Sequence, residues 1–288
     1  MKIVDAQVHI WAANTPERPW PARAEPHRAP LGKEELLAEM DKAGRRRRRH
    51  RAAVVGGRSQ RPRHRGRDAA IPTASASWAA SIPTRPARAE RSAGWKKQKG
   101  MLGVRLTFHT EVLRQPLLDG RFDWVWGEME KHGIPAMVLF HHEYMHLADK
   151  VAERYPGLRL VLDHLGLKSG KDVSEATNFA TLDKVLALAK RPNVAAKVSA
   201  MPCYADDKTY PFRSVHPHIR RVVDAFGPQR TLLGHRLVAA ALQLPPGRHH
   251  VHRGDAVAQG RGPRMGDGSR HLLRMDQAGR ALDGPVSH

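Results

Sequence analysis

The opening residues constrain the fold more than any other stretch. In Lys2-Ile3-Val4-Asp5-Ala6-Gln7-Val8-His9-Ile10-Trp11 the residues alternate, so that Asp5, Gln7 and His9 share one face of a strand, about 6–7 Å apart at each step of two. Three polar side chains on one face of a buried strand cost free energy unless they are paired or used in chemistry. A related pattern returns downstream, where Leu158-Arg159-Leu160-Val161-Leu162-Asp163-His164-Leu165-Gly166 closes an apolar run on Asp-His. Either histidine alone reads as a hydrogen-bonded core residue. Together, each behind an acidic residue at a strand end, they point to a site, because histidines at the carboxyl ends of separate strands are how a parallel α/β barrel builds one.

The intervening chain has the matching rhythm. Lys33 to Ala43 reads as a helix stopped by Gly44, and Met101 to Thr107 as a short strand. A helix over 122–132 closed by Gly133, a strand over 134–142, a helix over 143–155, a strand over 158–164, a helix over 179–190, a strand over 193–199 and a helix over 217–226 follow. Strands separated by helix-length segments imply βαβ units and a parallel sheet. Two further strands inside 44–92 and one near 231–235 bring the expected number to eight. The expected fold is therefore an α/β (β/α)8 barrel, formed as one domain over residues 1–288, for which a length of roughly 250 residues is typical.

Charge needs placing before it is interpreted. The net charge is +21 over 288 residues. Between Gly44 and Ser92 there are 14 Arg against Asp68 and Glu90, a net of +12, and between His235 and His288 there are 8 Arg against 4 Asp, a net of +4. That leaves +5 for the rest, ordinary for an enzyme. Both blocks also lose the apolar periodicity, so 44–92 and 235–288 are atypical parts of the barrel, with its second and last strands damaged and the Arg-rich block poorly packed. Residues 45–51 in particular look unsuited to a buried strand. Each block becomes barrel-like if its coding sequence is read one base later with permissible codons: Leu233-Gly234-His235-Arg236 turns into Trp-Gly-Thr-Asp, and residues 45–57 turn into an apolar strand with a Pro/Ser loop.

Cys203 is the sole cysteine, which excludes a disulfide framework or a cysteine zinc site and suits a reducing compartment. No apolar run approaches the ~20 residues needed to span a bilayer. The expected location is the cytoplasm.

Asp5-Ala6-Gln7-Val8-His9-Ile10-Trp11, Gly103-Val104-Arg105-Leu106, the strand end at His141, Val161-Leu162-Asp163-His164-Leu165-Gly166 and Ala196-Lys197-Val198-Ser199 together resemble the amidohydrolase-related family, the amidohydrolase 2 group that includes lactonases of the 2-pyrone-4,6-dicarboxylate type and some decarboxylases. The resemblance spans about two thirds of the chain. It implies a (β/α)8 barrel of the metal-dependent hydrolase type, a site at the carboxyl ends of the strands, and hydrolysis of a small carboxylated lactone or related carbonyl compound, or non-oxidative decarboxylation. One divalent ion (zinc or manganese), or none, is the implied cofactor, with His9, His141 and His164 as its ligands. Two departures stand out. Gln7 occupies the place of the first histidine of the usual His-x-His opening, and an amide is a poorer zinc ligand than imidazole. Gly234-His235-Arg236 stands where the family ends its barrel on Gly-Thr-Asp, which puts a cation in place of the expected base. The chain as written is expected to hydrolyse lactones weakly or not at all.

The chemistry assigns provisional roles. His164 and Arg105 are the expected catalytic groups, His164 meeting water or the carbonyl and Arg105 offering its planar fork to a substrate carboxylate. Gln7, Arg105 and His142 are expected at the substrate, with His141 and His142 as alternatives for one position. Lys197 lies on a strand whose inward or outward direction the sequence leaves open, with a solvated or helix-facing lysine slightly favoured. His249, His250 and His252 lie among Gly, Pro and Arg with no scaffold to make them a metal cluster. The competing reading is a basic protein that contacts nucleic acid through Arg45–Arg67; it has no interleaved aromatics for stacking. The favoured partner is a small molecule, with no membrane, and oligomeric state is left open.

Overall fold

The computed structural model describes residues 3–8, 15–16, 50–55, 75–80, 94–95, 97, 101–169, 173–207 and 211–234. Eight strands follow one another in the sheet in chain order: β1 (Ile3–Val8), β2 (His50–Val55), β3 (Ser75–Ala80), β4 (Met101–Thr107), β5 (Ala136–Leu139), β6 (Leu160–Leu162), β7 (Val194–Ser199) and β8 (Thr231–Gly234). Every neighbouring pair is parallel. β1 and β8 also touch, which closes the sheet into the expected (β/α)8 barrel.

Two strands thus come from the Arg-rich stretch. β2 includes His50 and Arg51, paired with Ile3 and Val4, and β3 lies between β2 and β4. The two strands expected inside 44–92 are thus present, and the reading of residues 45–51 as unsuited to a strand is corrected for His50 and Arg51, which open β2. Ladder hydrogen bonds are made by backbone groups, so the register of β1 and β3 can recruit a segment whose side-chain pattern argues against it. The expected helix over 33–43 lies outside the described residues, as do Arg45–Arg49 and 235–288.

Side chains alternate between two environments along each strand. Val104, Leu106 and Phe108 of β4 and its exit, Ala136 and Val138 of β5, Leu160 and Leu162 of β6, and Val194, Ala196 and Val198 of β7 belong to the apolar layer beneath the helices. The intervening positions, Arg105, Met137, Val161 and then Asp163, and Ala195, Lys197 and Ser199, therefore face the barrel interior. The outer layer is built by helices such as Asp123–Lys131, with Val125, Trp126 and Met129 buried, and Met145–Arg154, with Met145, Ala148, Val151 and Ala152 buried. His216–Phe226 buries Ile219, Val222 and Phe226 on one face, begins with Pro217 in its first turn and ends at Gly227 with φ 73°.

The segment expected as one helix over 179–190 is instead three short pieces: Glu175–Phe179, Asp183–Leu186 and a 3-10 turn at Ala187–Lys190. Phe179, Leu182, Val185 and Leu188 are all buried. Their spacing of three matches the 3.0-residue turn better than the 3.6-residue one, so a straight α-helix would rotate them off a common face. Glu111–Leu118, which carries Pro116 inside it, is a helix the sequence pattern did not announce.

Candidate active site

The Asp-His that ends β6 occupies a turn held in an uncommon conformation. Asp163–Gly166 is a kinked turn in which His164 and Leu165 both have φ 52° and Gly166 has φ 67°. Non-glycine residues in the left-handed region cost on the order of 1–3 kcal/mol each and persist where their surroundings over-determine them. Gly166 is required here, because a Cβ at that position would overlap both Met145 Cε and the Phe140 carbonyl oxygen.

Asp163 is fully buried and collects three cation-capable neighbours. Arg105 donates from Nε to Oδ2 at 2.7 Å and lies against the same oxygen through Nη2 at 2.5 Å. Lys197, itself fully buried, forms an ion pair with Oδ1. His164 Nε2 stands 3.4 Å from Oδ1. The placement follows from register: Leu162 pairs with Ala196, so the next residues, Asp163 and Lys197, point inward side by side. Burial pushes the Asp163 carboxyl up, but His164, Lys197 and Arg105 around it outweigh burial and hold the carboxyl well below the usual carboxylate range. The direction of Lys197, left open by the sequence with a slight outward preference, is inward. A lysine with no exposed surface inside a barrel is tolerated only beside a carboxylate, and Asp163 supplies it.

His164 is also held from its other side. Ser199 Oγ lies 2.6 Å from Nδ1. With Asp163 ionised, the proton of the neutral ring sits on Nε2 toward Oδ1, and Nδ1 accepts from the Ser199 hydroxyl. Asp163, His164 and Ser199 thus form a continuous buried chain of polar groups. Ser199 was missed by sequence reading, although it follows Lys197 by two residues and so shares its face.

The two consecutive histidines after β5 separate into different environments. His141 Nδ1 is 3.2 Å from the Gly166 carbonyl, so it donates and leaves its lone pair on Nε2. His109, at the exit of β4, places its ring edge-on to His141 with centroids 6.4 Å apart. His142 is buried, with Nε2 2.8 Å from the Leu165 carbonyl and Nδ1 2.8 Å from Thr181 Oγ1. Burial lowers the His142 pKa. Of the expected site residues, Arg105, His141, His142 and His164 therefore all meet at the β6 turn or its carboxylate. His9 lies outside the described residues. Gln7 lies on β1, with its side chain beyond what is described.

Among the described residues no three His, Cys, Asp or Glu side chains stand close enough to hold an ion. His164 illustrates why: one ring nitrogen faces Ser199 and the other faces Asp163, so neither offers a lone pair to a metal in this arrangement. The described residues do not by themselves fit the zinc or manganese that the resemblance implies. Among these residues no helix is long and apolar enough to cross a membrane.

Comparison with solved structures gives the same architecture. An amidohydrolase from Burkholderia multivorans, crystallised with HEPES, matches with a TM-score of 0.66 and 20% identity over 84% of this chain and 86% of that one. A second structure of that amidohydrolase, with bound zinc, matches with a TM-score of 0.66 and 20% identity over 85% of this chain and 87% of that one. A Pseudomonas putida protein provisionally named a 2-pyrone-4,6-dicarboxylic acid hydrolase matches with a TM-score of 0.63 and 16% identity over 94% of this chain and 97% of that one. No curated protein sequence matches. The amidohydrolase family model matches residues 4–234, which spans all eight strands from β1 to β8 and the polar cluster they enclose. The chain belongs to the amidohydrolase family.

Proposed function

We propose that this amidohydrolase hydrolyses a small carbonyl compound that carries a carboxylate, with a carboxylated lactone as the favoured substrate. The observation that carries the reading is the charge balance at the barrel mouth, where Arg105 and Lys197 share the single carboxylate of Asp163. Among the described residues these two fixed cations against one anion leave the cluster positive, and field lines in a low-dielectric cavity concentrate on an anionic ligand. Arg105 is the member with residual exposure, at 13% of its side chain. Its Nη1 is not used by the Asp163 pair and is the donor suited to a substrate carboxylate. The name given to the Pseudomonas putida relative supports a carboxylated lactone without extending its activity to this chain.

His164 is the proton-handling group in this reading. Water attacks the lactone carbonyl carbon as its proton moves to Nδ1 by relay through the Ser199 hydroxyl, which gives its own proton to the ring and takes one from the water, and the ring C–O bond breaks. The departing alkoxide regains the proton, yielding a hydroxy acid. The ionised Asp163 stabilises the imidazolium as it forms and keeps the ring oriented, as a buried carboxylate does in other His-based sites. His9, His141 and Gln7 remain the candidates for further contacts to substrate or ion, and His235-Arg236 in place of Thr-Asp is expected to keep the rate low. The lone Cys203 supports a reducing, cytoplasmic setting. A nucleic-acid arm at Arg45–Arg67 is disfavoured because 50–55 within it serves as a barrel strand.

The test is a rate assay of the purified chain on a γ- or δ-lactone with and without a ring carboxylate. Preference for the carboxylated compound, lost in Arg105→Met, is the expected outcome. Equal rates on both, or no loss in the variant, would remove the anionic-substrate reading.

A further inference from the structure

The role of His164 depends on a turn that the sheet does not hold. β6 ends at Leu162, and the next four residues leave the ladder with His164, Leu165 and Gly166 all at positive φ. Leu167 N donates to the His164 carbonyl at 3.0 Å. The carbonyls of Leu165 and Gly166 are gripped from outside it, by the two consecutive histidines that follow β5.

We propose that His142 is a positioning residue for His164: by donating Nε2–H to the Leu165 carbonyl it fixes the left-handed turn and so sets the His164 imidazole against Ser199. The donor direction is not in question, because a carbonyl oxygen can only accept. The ring is held from its far side by Thr181 Oγ1, 2.8 Å from Nδ1, which anchors it to the segment between Glu175–Phe179 and Asp183–Leu186. The ring is thus tied to the turn on one side and the outer layer on the other. His142 has 7% of its surface exposed and both nitrogens engaged, which leaves it poorly placed to touch substrate. This gives it a different job from the substrate contact expected from sequence. The neighbouring His141 bonds to the adjacent carbonyl of Gly166 but keeps a lone pair, so the two histidines divide between support and ligand contact.

The inference rests on the reading of His164 as the proton-handling group, and its test is chosen to separate the two. Full-length chain with 15N-labelled histidine is examined at one neutral pH, where long-range 1H–15N spectra report which ring nitrogen carries the proton. Wild-type His164 is expected to show a hydrogen-bonded acceptor Nδ1 and a protonated Nε2. His142→Met keeps the volume and removes the donor, and should fold while His164 shifts toward the mixed tautomers of a ring without fixed partners. His142→Gln, whose amide can donate to the same carbonyl, should retain the wild-type pattern. On a lactone substrate, kcat should fall about 10–100-fold in His142→Met with KM little changed and recover in His142→Gln, the range typical of outer-shell orienting groups. An unchanged His164 pattern in His142→Met overturns the proposal, and so does a Gln variant that folds or preserves the pattern no better than Met. If the tautomer responds as expected but no lactone is turned over, the positioning role stands and the hydrolase reading falls.

Discussion

Arg105 and Asp163, 58 residues apart, meet in the barrel interior with Nε and Nη2 of the guanidinium both directed at Oδ2, at 2.7 and 2.5 Å. Lys197 takes the other oxygen, so one carboxylate ties β4 and β7 to β6. This makes Asp163 the electrostatic pivot of β4, β6 and β7.

Asp163→Asn should therefore destabilise the fold strongly. Removing one partner of a buried ion pair leaves uncompensated charge and costs about 3–5 kcal/mol. Urea unfolding monitored by circular dichroism measures it. A loss below about 1 kcal/mol would mean that Arg105 and Lys197 find water or other partners with ease.

Acid should act through the same group. Burial raises the Asp163 pKa, but His164, Lys197 and Arg105 together carry it well below its ordinary value. The unfolded chain then binds a proton that the folded chain does not, so this contribution to stability is present above the unfolded pKa of about 3.9 and is lost as pH falls toward the folded pKa. The wild type should lose stability steeply below about pH 4. Asp163→Asn, already weakened, should show a shallower slope in that range, read by urea midpoints at successive pH values.

Gly166→Ala tests the left-handed turn. The residue has φ 67° and no room for a methyl group between Met145 and the Phe140 carbonyl. The substitution should cost at least about 1–3 kcal/mol from backbone strain alone, with overpacking added. Thermal unfolding checks it, and an unchanged midpoint would mean that the turn relaxes into another conformation at little cost.

Ser199→Ala should leave the barrel folded and lower lactone hydrolysis about 10–100-fold, because the hydroxyl that orients His164 Nδ1 is removed. The effect belongs in kcat. A change confined to KM would assign Ser199 to substrate binding instead.

The strand end after Gly234 offers a gain-of-function test. Replacing His235 and Arg236 by Thr and Asp, together with the shifted-frame version of 45–57, should raise the rate about 10²–10⁴-fold, the contribution of a well-placed base. With Gln7 retained in the first strand, the corrected enzyme should keep its rate in a chelator. Loss of rate in chelator and recovery with zinc or manganese would assign the histidines to an ion.

The barrel and the β6 site were legible in the sequence because their signals are local. Alternation places Asp5, Gln7 and His9 on one face, β/α spacing demands a parallel sheet, and an apolar run closing on Asp163-His164 marks a strand end whatever surrounds it. The direction of Lys197 was not legible, since an isolated strand has two equivalent faces and only pairing with β6 decides which one meets Asp163. The same holds for His142, whose two partners lie 23 and 39 residues away, and for the left-handed turn, where His164 and Leu165 take positive φ although neither residue type favours it. Strand β2 marks the opposite limit: the side chains of His50 and Arg51 argue against a strand, yet the backbone pairs with β1 and β3 because ladder hydrogen bonds do not depend on side-chain identity. Periodicity along the chain thus determined which fold forms and where its polar strand ends fall. Contacts between residues far apart in sequence decided which of those polar groups face one another, and with that the chemistry available to them.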